Sequence, residues 1–448
     1  MLGASPLGRP GVPDPEDHVP AASARRRALA VLAAVVASVL TATSATAATG
    51  SDGARPGVST FDPRPQDAAG PGAPGIQDSA QLAPVVRAGD RVLFVGNSFT
   101  QGFEEPTVSY GSGTVDDLND SGTGGVPGIV SRLSANLGVP LDISLEAVGG
   151  QSLQWHLENR PHVFDEPWDA VVAQEFSLSA LPAAHGGSSA SFHAAARTMH
   201  ERVRAASSAT RTVLFETWAS PTSVRLQGYG EGPSALRAMQ DDLDAAYADE
   251  ALTTGWTRTA PVGAAFVRAV EEGAADGTPA DGVAPGTARL WSAQDDRHAA
   301  AAGSYLAAAV LTATLTHRNP QLLPVGPGSA ASELGLDART AAALNRVAAE
   351  SVPVPLAVDA VSRDVCSPRA SVVRVQVRNH DDVPVRVRVP GVRGIPNPVV
   401  QPDGETVVAV PVNRRQRLPS PLSVSDAADG RTDRTSVRVS AEGCLGGG

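Results

Sequence analysis

Two short stretches of this chain carry residue types that can do chemistry together. The first is Val92-Leu93-Phe94-Val95-Gly96-Asn97-Ser98, an apolar run that feeds directly into a turn. Glycine permits a tight turn at the end of a buried strand. Ser98 therefore lands at the carboxyl edge of a sheet, where its own N–H can face a bound substrate. The second stretch is Asp295-Asp296-Arg297-His298, at the mouth of an alanine-rich apolar segment. A carboxylate close to a histidine can orient the imidazole, and the imidazole can then take a proton from a hydroxyl. Asp295 and Asp296 are both placed to do this, and both are also placed to cap the helix that follows. Side chains three apart in a tight turn share a side, whereas those two apart diverge. Asp295 is therefore expected to orient His298, and Asp296 to cap the helix or meet solvent.

These residues need a scaffold that brings distant segments together. Five short apolar runs, Arg91–Val95, Leu141–Val148, Asp169–Ala173, Thr212–Thr217 and Thr257–Val262, are rich in Val, Leu, Ile and Phe. Near-continuous apolar runs of this length predict strands buried on both faces. Helical patterns at Val126–Leu137, Ser189–Ala206, Ser234–Leu252 and His298–Thr316 lie between or after them, with a last helix over Leu336–Glu350. Such alternation predicts an α/β protein: a flavodoxin-like, three-layer α/β/α fold around a five-stranded parallel sheet. The working site of such a sheet lies beyond the carboxyl ends of its strands. From about residue 351 the texture becomes β-branched and alternating (Val372–Val377, Val383–Val389, Thr406–Val412, Ser436–Ser440), which predicts a small all-β, sandwich-like domain over 351–448. The α/β domain is expected over 86–350.

The N-terminus reads as an address. Arg25-Arg26-Arg27 precede the apolar run Ala28–Leu40, and Ala45-Thr46-Ala47 is a small-x-small cleavage site. The run is too short to span a bilayer comfortably, so residues 1–47 are expected to be an export signal. Both the general secretory and the twin-arginine route remain open. Residues 48–85, rich in Gly, Pro, Ala, Asp and Ser, are expected to be a disordered linker. The chain is then secreted, with no stable membrane span in the mature form. Cys366 and Cys444, the two cysteines of the chain, read as an extracellular disulfide. The formal net charge of −11 argues against a nucleic-acid partner.

Other residue types here can also do chemistry. His193 and His200 lie seven apart on one helical pattern, two turns from each other, and with His156 they form no metal-ligand spacing; no metal is expected. Asp116, Asp117 and Asp120 lack the glycine and terminal glutamate of an EF-hand and are expected in a solvated loop. Trp218, just after the fourth apolar run, is placed either to wall a substrate pocket or to pack in the core.

There is no Gly-x-Ser-x-Gly, so the nucleophile elbow of α/β-hydrolases does not apply. Over roughly residues 90–318 the sequence resembles the SGNH (GDSL-like) hydrolase superfamily. Gly96-Asn97-Ser98 is similar to its first block, with Asn97 where many members have aspartate. Gly149-Gly150-Gln151-Ser152 resembles the second block, and Asp295-Asp296-Arg297-His298 the last, Asp-x-x-His. The third block departs: where many members carry Gly-x-Asn-Asp, this chain has Ala173-Gln174-Glu175. The resemblance is strongest to a subgroup with Gly-Asn-Ser and a glutamine at these places.

The resemblance implies hydrolysis of acyl esters without metal or organic cofactor. Ser98 would be the nucleophile, His298 the base and Asp295 its orienting carboxylate. The oxyanion would be held by the N–H groups of Ser98 and Gly150 and by the Gln174 amide. Acetyl groups on carbohydrate are the expected substrates, with a lipase or general esterase as the nearest alternative. A non-catalytic extracellular binding protein on the same scaffold is the alternative from another class.

Overall fold

The computed structural model describes residues 83–279, 282–354, 356–362, 372–381, 384–389, 397–411, 422–426 and 435–437. The expected export signal, the linker up to residue 82, and Cys366 and Cys444 lie outside the described residues. The packed chain begins slightly ahead of Arg91: Val85 and Val86 are both buried, and their N–H groups both donate to the Leu315 carbonyl.

A parallel sheet of six strands organises the α/β part. In chain order they are β1 (Arg91–Gly96), β2 (Val115–Asp117), β3 (Asp142–Ala147), β4 (Ala170–Ala173), β5 (Arg211–Phe215) and β6 (Arg258–Ala260). Their spatial order is β2-β3-β1-β4-β5-β6. Without β2 this is the flavodoxin-like order 2-1-3-4-5. The expected count of five strands is thus one short. The missing strand is the edge strand β2, which takes in Asp116 and Asp117, both expected in a solvated loop. It pairs along only three residues, Val115–Asp117 against Ile143–Leu145, too short a segment for period-2 patterning to register. Asp117 then folds the chain back: its carboxylate accepts from the N–H groups of Asn119, Ser121 and Thr123.

The strand interiors explain why β1 and β4 are legible in the sequence. Val92 to Val95 and Ala170 to Ala173 are at most 1 % exposed, so both faces are covered and no polar alternation survives. The helices of the α/β part are α1 (Ser98–Gln101), α2 (Gly125–Asn136), α3 (Leu153–Asn159), α4 (Ser189–Ala206), α5 (Pro221–Leu226), α6 (Pro233–Thr254), α7 (Val262–Glu271), α8 (Ala301–Thr316), α9 (Ala330–Glu333) and α10 (Ala338–Ser351). Helices α2, α7 and α10 each pack against α8, while α3 and α6 pack against α4. Helix α6 also packs against α7. Helix α8 is buried from Gly303 to Thr316, which accounts for its lack of a polar stripe.

The register at the carboxyl edge fixes the site. Gly96 of β1 pairs with Ala147 of β3, and Val95 pairs with Ala173 of β4. Three chain segments, starting at Asn97, Val148 and Gln174, therefore leave the sheet side by side.

The C-terminal part forms two antiparallel sheets. One holds β7 (Val358–Ser362), β8 (Val372–Asn379) and β11 (Glu405–Pro411). The other holds β9 (Val385–Arg388), β10 (Val399–Val400), β12 (Leu422–Asp426) and β13 (Thr435–Val437). Val358, Val375, Val377 and Val408 from the first sheet share one apolar core with Val385, Val387 and Val400 from the second. This is a sandwich-like arrangement.

Candidate active site

The turn after β1 is built for close approach. A Cβ at Gly96 would stand 2.6 Å from the Gln174 Oε1 and collide with the Thr100 hydroxyl, so only glycine fits there. Asn97 caps α1, its Oδ1 accepting from the Phe99 N–H at 3.1 Å. Its Nδ2 donates to the Gln151 carbonyl at 2.9 Å. The amide thus ties the turn to the neighbouring 148–152 segment, which an aspartate, lacking a donor, could not do. Ser98 opens α1, and the first N–H groups of a helix have no intrahelical partner.

Across 200 residues of chain, the Ser98 Oγ lies 2.8 Å from the His298 Nε2. The other imidazole nitrogen, Nδ1, stands 2.5 Å from the Asp295 Oδ2. Asp295 Oδ1 also accepts from the backbone N–H groups of Arg297 and His298, each at 3.0 Å. Burial alone would raise the Asp295 carboxyl, but the hydrogen bond and charge of His298 and the two backbone donors outweigh it. The carboxyl is held below its ordinary range.

A tight loop presents this pair. The Ser292 N–H donates to the His298 carbonyl at 2.7 Å, and the Ala300 N–H to the Leu290 carbonyl at 2.8 Å. His298 therefore sits in the loop ahead of α8, not at its first turn as its sequence suggested; the helix begins at Ala301, with Ala300 at its cap position and no side-chain cap. Asp296 does not cap it either. Its φ of +46° places it in the left-handed region, which aspartate tolerates, and its Oδ1 meets the Arg289 guanidinium at 3.2 Å. Asp295, not Asp296, is the neighbour of the imidazole, while Asp296 is partly exposed beside Arg289 and does not cap the helix.

Two expected site residues take other places. Trp218 is 1 % exposed, stacked between Phe99 at 4.0 Å and Phe266 at 4.8 Å. Its indole N–H donates to the Arg297 carbonyl at 3.0 Å. It cannot wall a pocket open to substrate; it supports the His298 loop from beneath. Gln174 is fully buried. Its Oε1 accepts from the Asn97 N–H at 3.0 Å and the Thr100 hydroxyl at 2.8 Å, and its Nε2 donates to the Glu175 carbonyl. With no surface to offer a ligand, it braces the turn that carries Ser98 and is not placed to act as the expected oxyanion donor. Gly150 is exposed with φ +77°, a conformation that favours glycine.

The histidines considered for metal all have protein partners. His193 Nδ1 is 2.8 Å from Glu250, and His200 Nδ1 is 2.9 Å from the Thr212 hydroxyl. His156 is fully buried between Glu146 and the Gly96 carbonyl. Two half-buried residues that sequence reasoning missed also stand at the site. Phe103 covers the His298 ring, and Glu104 Oε2 accepts from the Ser292 hydroxyl at 2.9 Å. Their nearness to Ser98 in sequence was the one available signal.

No protein-family profile matches this chain, and no curated protein matches it. Several solved structures are similar. A DUF4886 family protein from Bacteroides uniformis is 20 % identical, with 58 % of this chain and 94 % of that chain covered and a TM-score of 0.41. A putative GDSL-like lipase from Parabacteroides merdae is 16 % identical, covering 52 % and 99 %, with a TM-score of 0.38. A catalytic mutant of Axe2, an acetylxylan esterase from Geobacillus stearothermophilus, is 14 % identical, covering 56 % and 97 %, with a TM-score of 0.34.

Proposed function

We propose that this chain is a secreted carboxylic-ester hydrolase that works through Ser98, His298 and Asp295. The observation that carries the reading is the continuous relay from the Ser98 Oγ through the His298 imidazole to the Asp295 carboxylate, at 2.8 and 2.5 Å. A serine hydroxyl is a weak nucleophile until a base takes its proton. His298 Nε2 accepts that proton as Oγ attacks the ester carbonyl, and Asp295 stabilises the imidazolium while staying ionised. The lowered Asp295 carboxyl supports that role. The tetrahedral oxyanion is received by the N–H groups of Ser98 and Gly150, each worth about 2.7–4 kcal/mol in the transition state. His298 returns the proton to the departing alkoxide. Water, deprotonated by the same base, then releases the acyl group as a carboxylic acid and restores the Ser98 hydroxyl.

Small acyl groups on carbohydrate, acetyl above all, are the proposed substrates. The export-type N-terminus and the C-terminal β-sandwich support an extracellular polymeric substrate. Among the described residues no helix is long and apolar enough to cross a membrane. The test is turnover of p-nitrophenyl acetate by the purified chain, with Ser98→Ala alongside. A fluorophosphonate should add one covalent mass to a peptide containing Ser98. Turnover that survives Ser98→Ala, or a label on another residue, would overturn the assignment; a wild-type chain with neither turnover nor label points to a binding protein.

A further inference from the structure

Beneath the nucleophile turn lies a second histidine–carboxylate pair, built from residues the chemistry above does not use. His156 and Glu146 are both fully buried. His156 Nδ1 lies 3.1 Å from the Glu146 Oε1, and its Nε2 lies 2.8 Å from the Gly96 carbonyl oxygen. A carbonyl can only accept. Glu146 behaves as an acceptor too: its oxygens receive the Arg160 Nε at 3.1 Å and the Asn119 Nδ2 at 3.2 and 3.3 Å. Burial pushes the Glu146 carboxyl up, but its bonds to His156 and Asn119 and the charges of His156 and Arg160 bring it below its ordinary range. A neutral imidazole has one donor nitrogen and would leave a lone pair aimed at one of these oxygens. With both nitrogens facing acceptors, the site is built for a ring that donates from both. Arg160, Glu146 and His156 stand in a row, with Glu146 and His156 buried and the Arg160 side chain 30 % exposed. An unpaired buried charge would be costly; a paired and fully hydrogen-bonded one is retained.

The row ends on a particular atom. The Gly96 carbonyl belongs to the peptide whose N–H, on Asn97, is held by Gln174 from the other side. That same carbonyl also accepts from the Val148 N–H at 3.1 Å. His156 is carried by α3, which begins immediately after the Gly149–Ser152 segment. The Asn97 amide and the Gln101 Nε2, on the Gln151 and Ala147 carbonyls, complete the stitching between the two segments. Of these links, His156 supplies the one whose donor ring is also paired with a carboxylate.

We propose that His156, held as an imidazolium by Glu146, is a positioning residue that clamps the Gly96 carbonyl and so fixes the Ser98 turn against the Gly149–Gly150 segment. This rests on the esterase reading, in which the N–H groups of Ser98 and Gly150 must converge on one oxyanion. Misplacing such donors costs transition-state stabilisation far more than ground-state binding. His156 touches no reacting atom in this scheme.

The experiment compares wild type, His156→Gln and Glu146→Gln, each checked for folding by circular dichroism. In His156→Gln the introduced amide can still donate to the Gly96 carbonyl but carries no charge; Glu146→Gln leaves the imidazole without its anion. With p-nitrophenyl acetate, kcat should fall at least tenfold in both variants while KM stays within about twofold. The rate of fluorophosphonate labelling at Ser98 should fall in proportion, because the phosphonyl oxygen uses the same donors. In the wild type, histidine-selective ¹⁵N NMR at neutral pH should show one ring with two slowly exchanging N–H groups, lost in His156→Gln. Folded variants with wild-type kcat and labelling rate would overturn the role of His156 alone. A wild-type chain that neither turns over ester nor takes the label would overturn the esterase reading, and this role with it. If neither variant folds, the wild-type ring decides: two slowly exchanging protons on one ring support the clamp, and their absence overturns it.

Discussion

The ring of Phe103 lies flat on the imidazole of His298, with centroids 4.0 Å apart and planes within 5°. Phe99 meets the same imidazole edge-on at 5.5 Å. Hydrogen bonds fix where the two nitrogens of His298 point, and these rings restrict how it can tilt. A phenyl face also attracts a cation, so the stack would favour the imidazolium of the proposed reaction.

Phe103→Ala should therefore weaken catalysis without abolishing it. Aromatic pairs contribute about 0.5–1.5 kcal/mol beyond area burial, so kcat/KM for p-nitrophenyl acetate should fall between about twofold and tenfold. Phe103→Leu, which covers the ring without a π face, should fall between wild type and the alanine variant. An alanine variant with undiminished kcat/KM would show that the stack does not help hold the base.

The two neighbouring aspartates should separate cleanly. Asp295 makes one bond to the imidazole and two to the backbone of its own loop, whereas Asp296 meets Arg289 at 3.2 Å. Losing the orienting carboxylate can cost about 10⁴-fold in kcat in a comparable triad. A partly exposed ion pair contributes about 0–1 kcal/mol. Asp295→Asn should lose several orders of magnitude in turnover, and Asp296→Asn should keep most of its turnover with a small fall in melting temperature. The reverse pattern would assign the orienting role to Asp296.

Glu175 should make stability depend on pH. It follows Gln174 at the end of β4 and is 2 % exposed, and burial pushes its carboxyl up to about 7. The Phe176 and Leu153 N–H groups and the Ser179 side chain only partly offset this. Unfolded, the group titrates near 4.5. Between these values the folded state holds a proton that the unfolded state has released. Stability is therefore full below about 4.5, falls as pH rises toward 7, and then levels off. The interval corresponds to roughly 3 kcal/mol. Glu216, buried and also raised, adds a trend of the same sign, so the comparison must be with Glu175→Gln. Urea unfolding at about pH 5 and about pH 8 should show the wild type losing about 2 kcal/mol more than the variant. Equal losses would mean that Glu175 ionises without penalty in the fold.

The sequence by itself determined the parts that depend on local rules. Burial on both faces wrote β1 and β4 as apolar runs, and glycine at 96 announced a turn too tight for any side chain. The three-residue spacing of Asp295 and His298 put carboxylate and imidazole on one side of a loop before any long-range contact was known. What only the tertiary structure decided are contacts between segments far apart in the chain. Gln174 reaches Asn97 across 77 residues, and His156 reaches Gly96 across 60. Trp218 meets the Arg297 carbonyl across 79. Whether an amide braces a turn or faces a ligand, and whether a tryptophan walls a pocket or underlies it, depends on how the loops pack over the carboxyl edge of the sheet. That packing follows from strand order and register, which residue types at a single position do not encode. The edge strand Val115–Asp117 escaped notice for the same reason: three residues show no periodicity, and they are a strand because β3 stands beside them.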